Sequence, residues 1–186
     1  MTKDSAGSAA ADAAPSRSFV WAAYAACAWA LVFAALTFYW AAGGTAGAAT
    51  IGDTITKPIQ ERDPGWIALL WAIGALKILG ALLPLALVQA WGGRIPRRLL
   101  LTVAWGAGIL MILYGGANML EFALMETGIL NIPASLGELA VRWHLLLWEP
   151  WWIVGGVLYV ATAWSARRRT VAPDAGRGAL GDAPSW

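Results

Sequence analysis

Long apolar segments alternate with short polar segments along this chain. The four apolar segments run Phe19–Ala42, Trp66–Trp91, Leu99–Leu120 and Trp143–Trp164. A helix rises about 1.5 Å per residue, so about 20 apolar residues cross the hydrocarbon core of a bilayer. The pattern therefore predicts an all-α protein, a bundle of four transmembrane helices.

The segments between the spans predict the organisation of the chain. Residues 19–166 form one transmembrane domain. Residues 1–18, rich in Ala, Ser and Asp, and residues 167–186, basic at first and then rich in Ala, Gly, Pro and Asp, are predicted to be disordered tails because they lack the apolar surface needed for folding. The first span is longer than the apolar core of a cleaved signal peptide, so we interpret it as a retained span. Ser135 and Glu138 have the spacing of a capping box and predict the start of the fourth helix.

The basic residues are distributed unequally between the two sides of a four-span topology. Nine would lie on the side of the termini and three on the other, which predicts cytoplasmic termini. The nine are Lys3, Arg17, Arg94, Arg97, Arg98, Arg167, Arg168, Arg169 and Arg177, and the three are Lys57, Arg62 and Arg142.

Composition narrows the class of protein further. The chain is 59% hydrophobic and only 13% charged, which excludes an ordinary soluble domain. A net charge of +2 without a basic soluble segment gives no support for nucleic-acid binding. One Cys and one His offer neither an intramolecular disulfide nor a metal motif, so we expect no metal and no cofactor. We expect a protein of the cytoplasmic membrane of a bacterium, and the Ala- and Gly-rich composition fits a GC-rich genome.

Lys77 is the one charged residue near the centre of a predicted span. A charge at the bilayer midplane is costly and marks a candidate functional site. An opposite charge would relieve this cost, and Glu149 is the first candidate partner and Glu121 the second. A structural ion pair and a proton-handling or anion-binding site are both consistent with this lysine.

Other polar residues gather at the depth of the predicted outer leaflet. Helical rise brings the following side chains to this level: Tyr39, Asn118, Glu121, His144 and Glu149. Glu149 precedes Pro150, which removes a backbone hydrogen bond. The seven-residue spacing places Arg142 on the face of Glu149, whereas His144, five residues away, is predicted to point elsewhere.

The tryptophans divide into two groups. Those at span ends, including Trp40, fit an interfacial aromatic belt. Trp148, Trp151 and Trp152 crowd one segment of the fourth span, where they serve either as packing or, with Trp40, as the wall of an apolar pocket.

Two segments resemble a known family. Thr37–Gly44 (TFYWAAGG) closes the first helix, and Arg142–Trp152 (RWHLLLWEPWW) opens the fourth; the family usually has Asp where Glu149 stands. The chain resembles, over residues 20–166, the bacterial four-span proteins of domain-of-unknown-function family 3995. This resemblance implies the fold and a membrane location, and no activity or catalytic residue.

Three functions follow from these residues. The first is binding of a lipid, quinone or other apolar molecule in an outer-leaflet pocket, or an accessory role beside a membrane partner. The second is a membrane enzyme with Glu149 or His144 as general acid/base. The third is a transporter or proton conduit through Lys77, which would require a homo-oligomer. Membrane lipids are expected partners in each case.

Overall fold

The computed structural model describes residues 17–171, which are helical apart from their connections and contain no strand. The long helices are α1 (Arg17–Ala41), α3 (Pro64–Ala86) and α4 (Arg97–Glu126). The fourth is composite: α5 (Gly137–Trp143), a π-helical turn (His144–Trp148) and α6 (Glu149–Val171). All four are long and apolar enough to span a membrane, which confirms the all-α four-span fold. Most of the two predicted tails, residues 1–16 and 172–186, lies outside the described residues.

With cytoplasmic termini, as the sequence predicts, the segment between the first two spans would be an outer loop, and this segment contains a helix of its own. Helix α2 (Asp53–Gln60) begins after Gly52, whose φ of 109° suits glycine. Lys57 and Asp53 form an i,i+4 ion pair at 3.1 Å on its exposed surface. The chain from Ala42 to Asp63, including α2, is called the outer loop below.

The capping-box prediction at Ser135 is wrong. Helix α5 begins at Gly137 with Leu136 as its N-cap, and no side chain caps it. The Ser135 carbonyl accepts a hydrogen bond of 2.7 Å from the Asp53 amide, so this segment is hydrogen-bonded to the outer loop.

The long helices are arranged in the order α3, α1, α6, α4. Helix α1 packs against both α3 and α6, and α6 packs along α4, whereas α3 and α4 barely touch. Their main contact is near the Ala86–Leu87 end of α3, where these residues cluster with Leu100 and Ala104 of α4. Toward the middle of the spans, α3 and α4 leave a cleft between them.

Small residues allow the tight helix crossings. A Cβ atom on Gly156 of α6 would lie 2.6 Å from the carbonyl oxygen of Gly108 in α4, so backbone meets backbone there. In α1, small residues at four-residue spacing form a buried ridge that consists of Ala22, Ala26, Ala30 and Ala34. Close backbone approach thus occurs at the crossing of α4 and α6, and α1 presents a face of small residues.

Pro84 leaves one backbone carbonyl of α3 without its usual partner. Proline has no N–H, so it cannot bond to the carbonyl of Gly80 one turn earlier. The Tyr159 hydroxyl of α6 donates to that oxygen at 2.7 Å. A side chain of one span therefore donates the hydrogen bond that the proline removes from another span.

Candidate functional site

Lys77 lies half-buried in the middle of α3 and is held by α1. Its Nζ donates to Thr37 Oγ1 at 2.7 Å and lies 3.3 Å from the centre of the Phe33 ring. Phe33 and Thr37 are four residues apart, so one face of α1 presents both to the ammonium. The Thr37 hydroxyl in turn donates to the Phe33 carbonyl at 2.9 Å.

The predicted ion pair of Lys77 with Glu149 or Glu121 is wrong. Glu149 is bonded to another side chain, and Glu121 is exposed. The ammonium is stabilised instead by a hydroxyl and by the negative face of an aromatic ring. A neutral partner of this kind leaves the positive charge uncompensated.

The cleft between α3 and α4 has a volume of about 520 Å³ and contains Lys77. Its walls are otherwise almost wholly apolar, and Lys77 is the one charged residue among them. Members of all four long helices line it, including Trp29, Phe33, Leu76, Leu79, Val103, Ala107, Met111, Trp152 and Tyr159. This arrangement has the usual features of a small-molecule site, namely an apolar wall and a single polar group.

An aromatic cluster forms the floor of this cleft. The Phe33 and Trp152 rings meet edge to face at 5.0 Å, and Trp29 lies 5.8 Å from Phe33. Trp29 Nε1 donates to the Trp151 carbonyl at 2.9 Å, which fixes its ring against α6. The floor is therefore held together by ring contacts and by a hydrogen bond to α6.

The four tryptophans predicted to wall a pocket occupy different places. Trp40 and Trp148 are buried together in the core, with ring centres 6.0 Å apart, so Trp40 is not a belt residue. Trp151 stacks on Trp29. Of the four, Trp152 alone lines the cleft.

His144 and Glu149 form a second centre, in which Glu149 is buried and His144 is half-buried. His144 Nδ1 lies 2.8 Å from Glu149 Oε1, and the Glu149 side chain is 2% exposed. The prediction that His144 points elsewhere is wrong because the chain between them is π-helical. In an α-helix, residues five apart are rotated by about 140°, whereas the π turn pairs residue i with i+5, and the Glu149 amide bonds to the His144 carbonyl.

The π turn can be explained by Pro150. In an α-helix its ring would clash with the carbonyl of Leu146, and the wider turn relieves that clash. The inserted residue also changes the register of α5, so the prediction that Arg142 shares the face of Glu149 is wrong. Arg142 pairs instead with Glu126 of α4 at 3.3 Å.

The outer loop covers the pair. His144 Nε2 lies 3.2 Å from the carbonyl oxygen of Ile51, and Trp148 Nε1 donates to Thr50 Oγ1 at 3.1 Å. Phe122 of α4 stacks on the imidazole with ring centres 4.2 Å apart. Among the described residues, Glu149 Oε2 has no hydrogen-bond partner.

The remaining predicted site residues lie apart from both centres. Tyr39 is exposed, and its hydroxyl accepts a bond of 3.4 Å from the Ala46 amide. Asn118 is half-buried on α4, and Glu121 is exposed. The five polar residues predicted at one depth thus divide into the His144–Glu149 pair and the separate positions of Tyr39, Asn118 and Glu121.

Several residues of these centres were missed by sequence reasoning. Thr37 and Phe33 could have been found from their four-residue spacing in α1, because Thr37 is a polar group inside a span. Ile51 contributes through its backbone, and nothing in its side chain signals this contact.

A family model matches more than half of the chain. Residues 30–159 match the family described as "Protein of unknown function (DUF3995)", which covers both centres. Comparison with curated proteins and with solved structures finds no match.

Proposed function

The chain belongs to the DUF3995 family, and we propose that this protein binds a lipid-like molecule with a hydrogen-bond-accepting head group in the cleft between α3 and α4. The observation that carries the proposal is the single ammonium, Lys77 Nζ, in an otherwise apolar cleft of about 520 Å³. The site lies at the middle of the spans, deeper than the outer-leaflet pocket expected from the sequence.

The apolar walls favour a hydrocarbon chain as the main part of the ligand. Leu76 and Leu79 of α3 line the cleft and are 66% and 64% exposed, so its mouth faces the side of the bundle. In a bilayer this side meets lipid tails. A lipid-like molecule would enter sideways, without passing through water.

The ammonium favours an acceptor at the head of that molecule. Lys77 has three N–H donors, and Thr37 accepts one of them. A carboxylate would also supply the missing negative charge, and charge-assisted hydrogen bonds are about twice as strong as neutral ones. We therefore favour a single-chain fatty acid over a quinone, whose carbonyl oxygen carries no charge.

For the location and orientation of the protein, our proposal is the same as the expectation from the sequence. We propose a multi-pass protein of the bacterial cytoplasmic membrane with both termini in the cytoplasm, supported by the distribution of arginine and lysine. An accessory role beside a membrane partner, or a homo-oligomer, is compatible with an occupied cleft. A transporter or conduit through Lys77 has no comparable support in the geometry.

Binding of radiolabelled oleate to the purified protein in detergent tests the proposal. We expect saturable binding that unlabelled oleate displaces better than oleyl alcohol, which has the same chain without the charge. Lys77→Met should weaken oleate binding at least about tenfold, the loss of one charge-assisted bond. Lys57→Met, which removes an exposed lysine of α2, is the control and should bind as the wild type does.

A second pair of variants tests the place of binding. Ala107 lines the cleft, whereas its neighbour Gly106 faces open space. Ala107→Phe should block oleate and Gly106→Phe should not. Equal binding by all four variants would overturn the proposal and leave the accessory hypothesis.

A further inference from the structure

The hydrogen bonds of His144 determine how many protons the His144–Glu149 pair holds. The Ile51 carbonyl oxygen can only accept, so Nε2 at 3.2 Å must carry a hydrogen. Nδ1 and Oε1, 2.8 Å apart, need a second hydrogen between them. Both bonds exist together only when the pair holds at least two protons.

Removing one proton breaks one of the two bonds. The remaining hydrogen on the imidazole can face either the Glu149 carboxylate or the Ile51 carbonyl, and the charge-assisted bond to the carboxylate is the stronger. Nε2 would then present a lone pair to the Ile51 oxygen. The bond that is lost is the one that holds the outer loop.

The burial of Glu149 also favours opening of the outer loop once a proton is lost. With two protons the pair is neutral overall, and the unpartnered Glu149 Oε2 belongs to a group without net charge. Loss of a proton leaves a negative charge on a carboxyl group that is almost fully buried, which is costly unless water reaches it. Lifting the outer loop would admit that water.

We propose that the His144–Glu149 pair is a proton-binding site and that its bound proton holds the outer loop closed over the bundle. The loop is attached here by Ile51 to His144, by Thr50 to Trp148, and by the Asp53 amide to the Ser135 carbonyl. One of these three attachments depends on the proton. Proton loss therefore weakens closure without unfolding the spans.

The other charged groups on the neighbouring elements are bonded to other residues or are exposed. On α5 and α4, Arg142 is paired with Glu126, and Glu121 is exposed. On α2, Lys57 is paired with Asp53. The Arg62 guanidinium donates to the Ala41 carbonyl at 3.1 Å, and on α1 the phenol of Tyr39 is exposed. Substitution can therefore distinguish a pH effect of the His144–Glu149 pair from one caused by these other groups.

Glu149→Gln supplies the decisive comparison. The Gln amide can donate to Nδ1 while Nε2–H still donates to Ile51, so both bonds form with a neutral imidazole and no proton to lose. The variant should keep the loop closed at alkaline pH, where the wild type opens.

Hydrogen exchange of the full-length protein in nanodiscs tests this difference. After correction for the intrinsic effect of pH, the Asp53 amide of the wild type should exchange about tenfold faster at alkaline than at mildly acidic pH, the effect of one lost hydrogen bond. Glu149→Gln should show no such change, and Glu126→Gln, which breaks a surface pair, should behave as the wild type. A wild-type protein whose corrected exchange is independent of pH would overturn the proposal.

The single histidine of the chain gives a second test that needs no variant. Nitrogen-15 labelling of histidine yields the signals of His144 alone. At alkaline pH the wild type should show the Nδ1–H tautomer, whereas Glu149→Gln should show Nε2–H. The Nε2–H tautomer in the wild type at alkaline pH would contradict the proposal even if the variant failed to fold.

Discussion

Lys77 shows how a charge can be held inside a bundle without an opposite charge. Sequence reasoning identified the lysine because any charge in a span is unusual, but it assigned the wrong partner because it considered only carboxylates. A hydroxyl and an aromatic ring on one face of α1 perform this role. Thr37 and Phe33 are common residues in spans, so their type alone did not single them out.

Thr37→Val tests this local arrangement. The change removes the hydroxyl that accepts from Lys77 and should lower the free energy of unfolding by about 1–3 kcal/mol, because a half-buried charged donor loses its partner. In a Lys77→Met background the same change should cost well under about 1 kcal/mol, since no ammonium remains. Unfolding by SDS in mixed micelles gives all four free energies, and equal costs in both backgrounds would refute the arrangement.

Helix α3 and the α5–α6 segment each contain a proline, with different consequences. Pro84 frees the Gly80 carbonyl, which Tyr159 satisfies. Pro150 accompanies the π turn that brings His144 and Glu149 together. The Glu-Pro sequence signalled an interruption, but a straight-helix register cannot reveal a π turn, so the pair was not predicted.

The Tyr159–Gly80 hydrogen bond should depend on Pro84. Tyr159→Phe should destabilise the wild type by about 1–3 kcal/mol, because it leaves a buried carbonyl unpaired. Pro84→Ala restores a backbone N–H at this position, and that N–H can bond to the Gly80 carbonyl, so in this background Tyr159→Phe should cost less. A double-mutant cycle measured by unfolding gives the difference, and an additive cycle would contradict this prediction.

The crossing of α4 and α6 should tolerate no larger residue at Gly156. Its added Cβ meets the Gly108 backbone oxygen at 2.6 Å, and backbone cannot move aside cheaply. Gly156→Ala should therefore destabilise the protein by about 1–3 kcal/mol. Gly116→Ala, which has nothing within 4 Å, is the matched control and should be neutral in the same unfolding assay. Equal stability of the two variants would contradict the crossing.

For the whole bundle, the sequence determined the class of fold but not the order of the helices. Four apolar segments of bilayer length leave one architecture, a four-span bundle. The order α3, α1, α6, α4 depends on small residues that allow close approach, such as Gly108 and Gly156. The cleft exists because α3 and α4 are at the ends of this order, so it could not be located from spans alone.

The orientation of the bundle is open to a direct chemical test. In a Cys27→Ala background, a single cysteine placed by Thr54→Cys lies in the exposed outer loop, and one placed by Gly93→Cys lies in the exposed link before α4. A membrane-impermeant maleimide should label the Thr54→Cys protein in intact bacterial cells, and the Gly93→Cys protein only after lysis. The reverse pattern would invert the topology.

Native mass spectrometry of gently extracted protein shows whether the cleft holds a lipid-like molecule in cells. We predict that the wild type and Lys57→Met each retain a single-chain acidic lipid, whereas Lys77→Met and Ala107→Phe lose it and keep their ordinary phospholipids. Wild-type protein that retains only the bulk phospholipids also found on Lys77→Met would contradict a ligand site in the cleft.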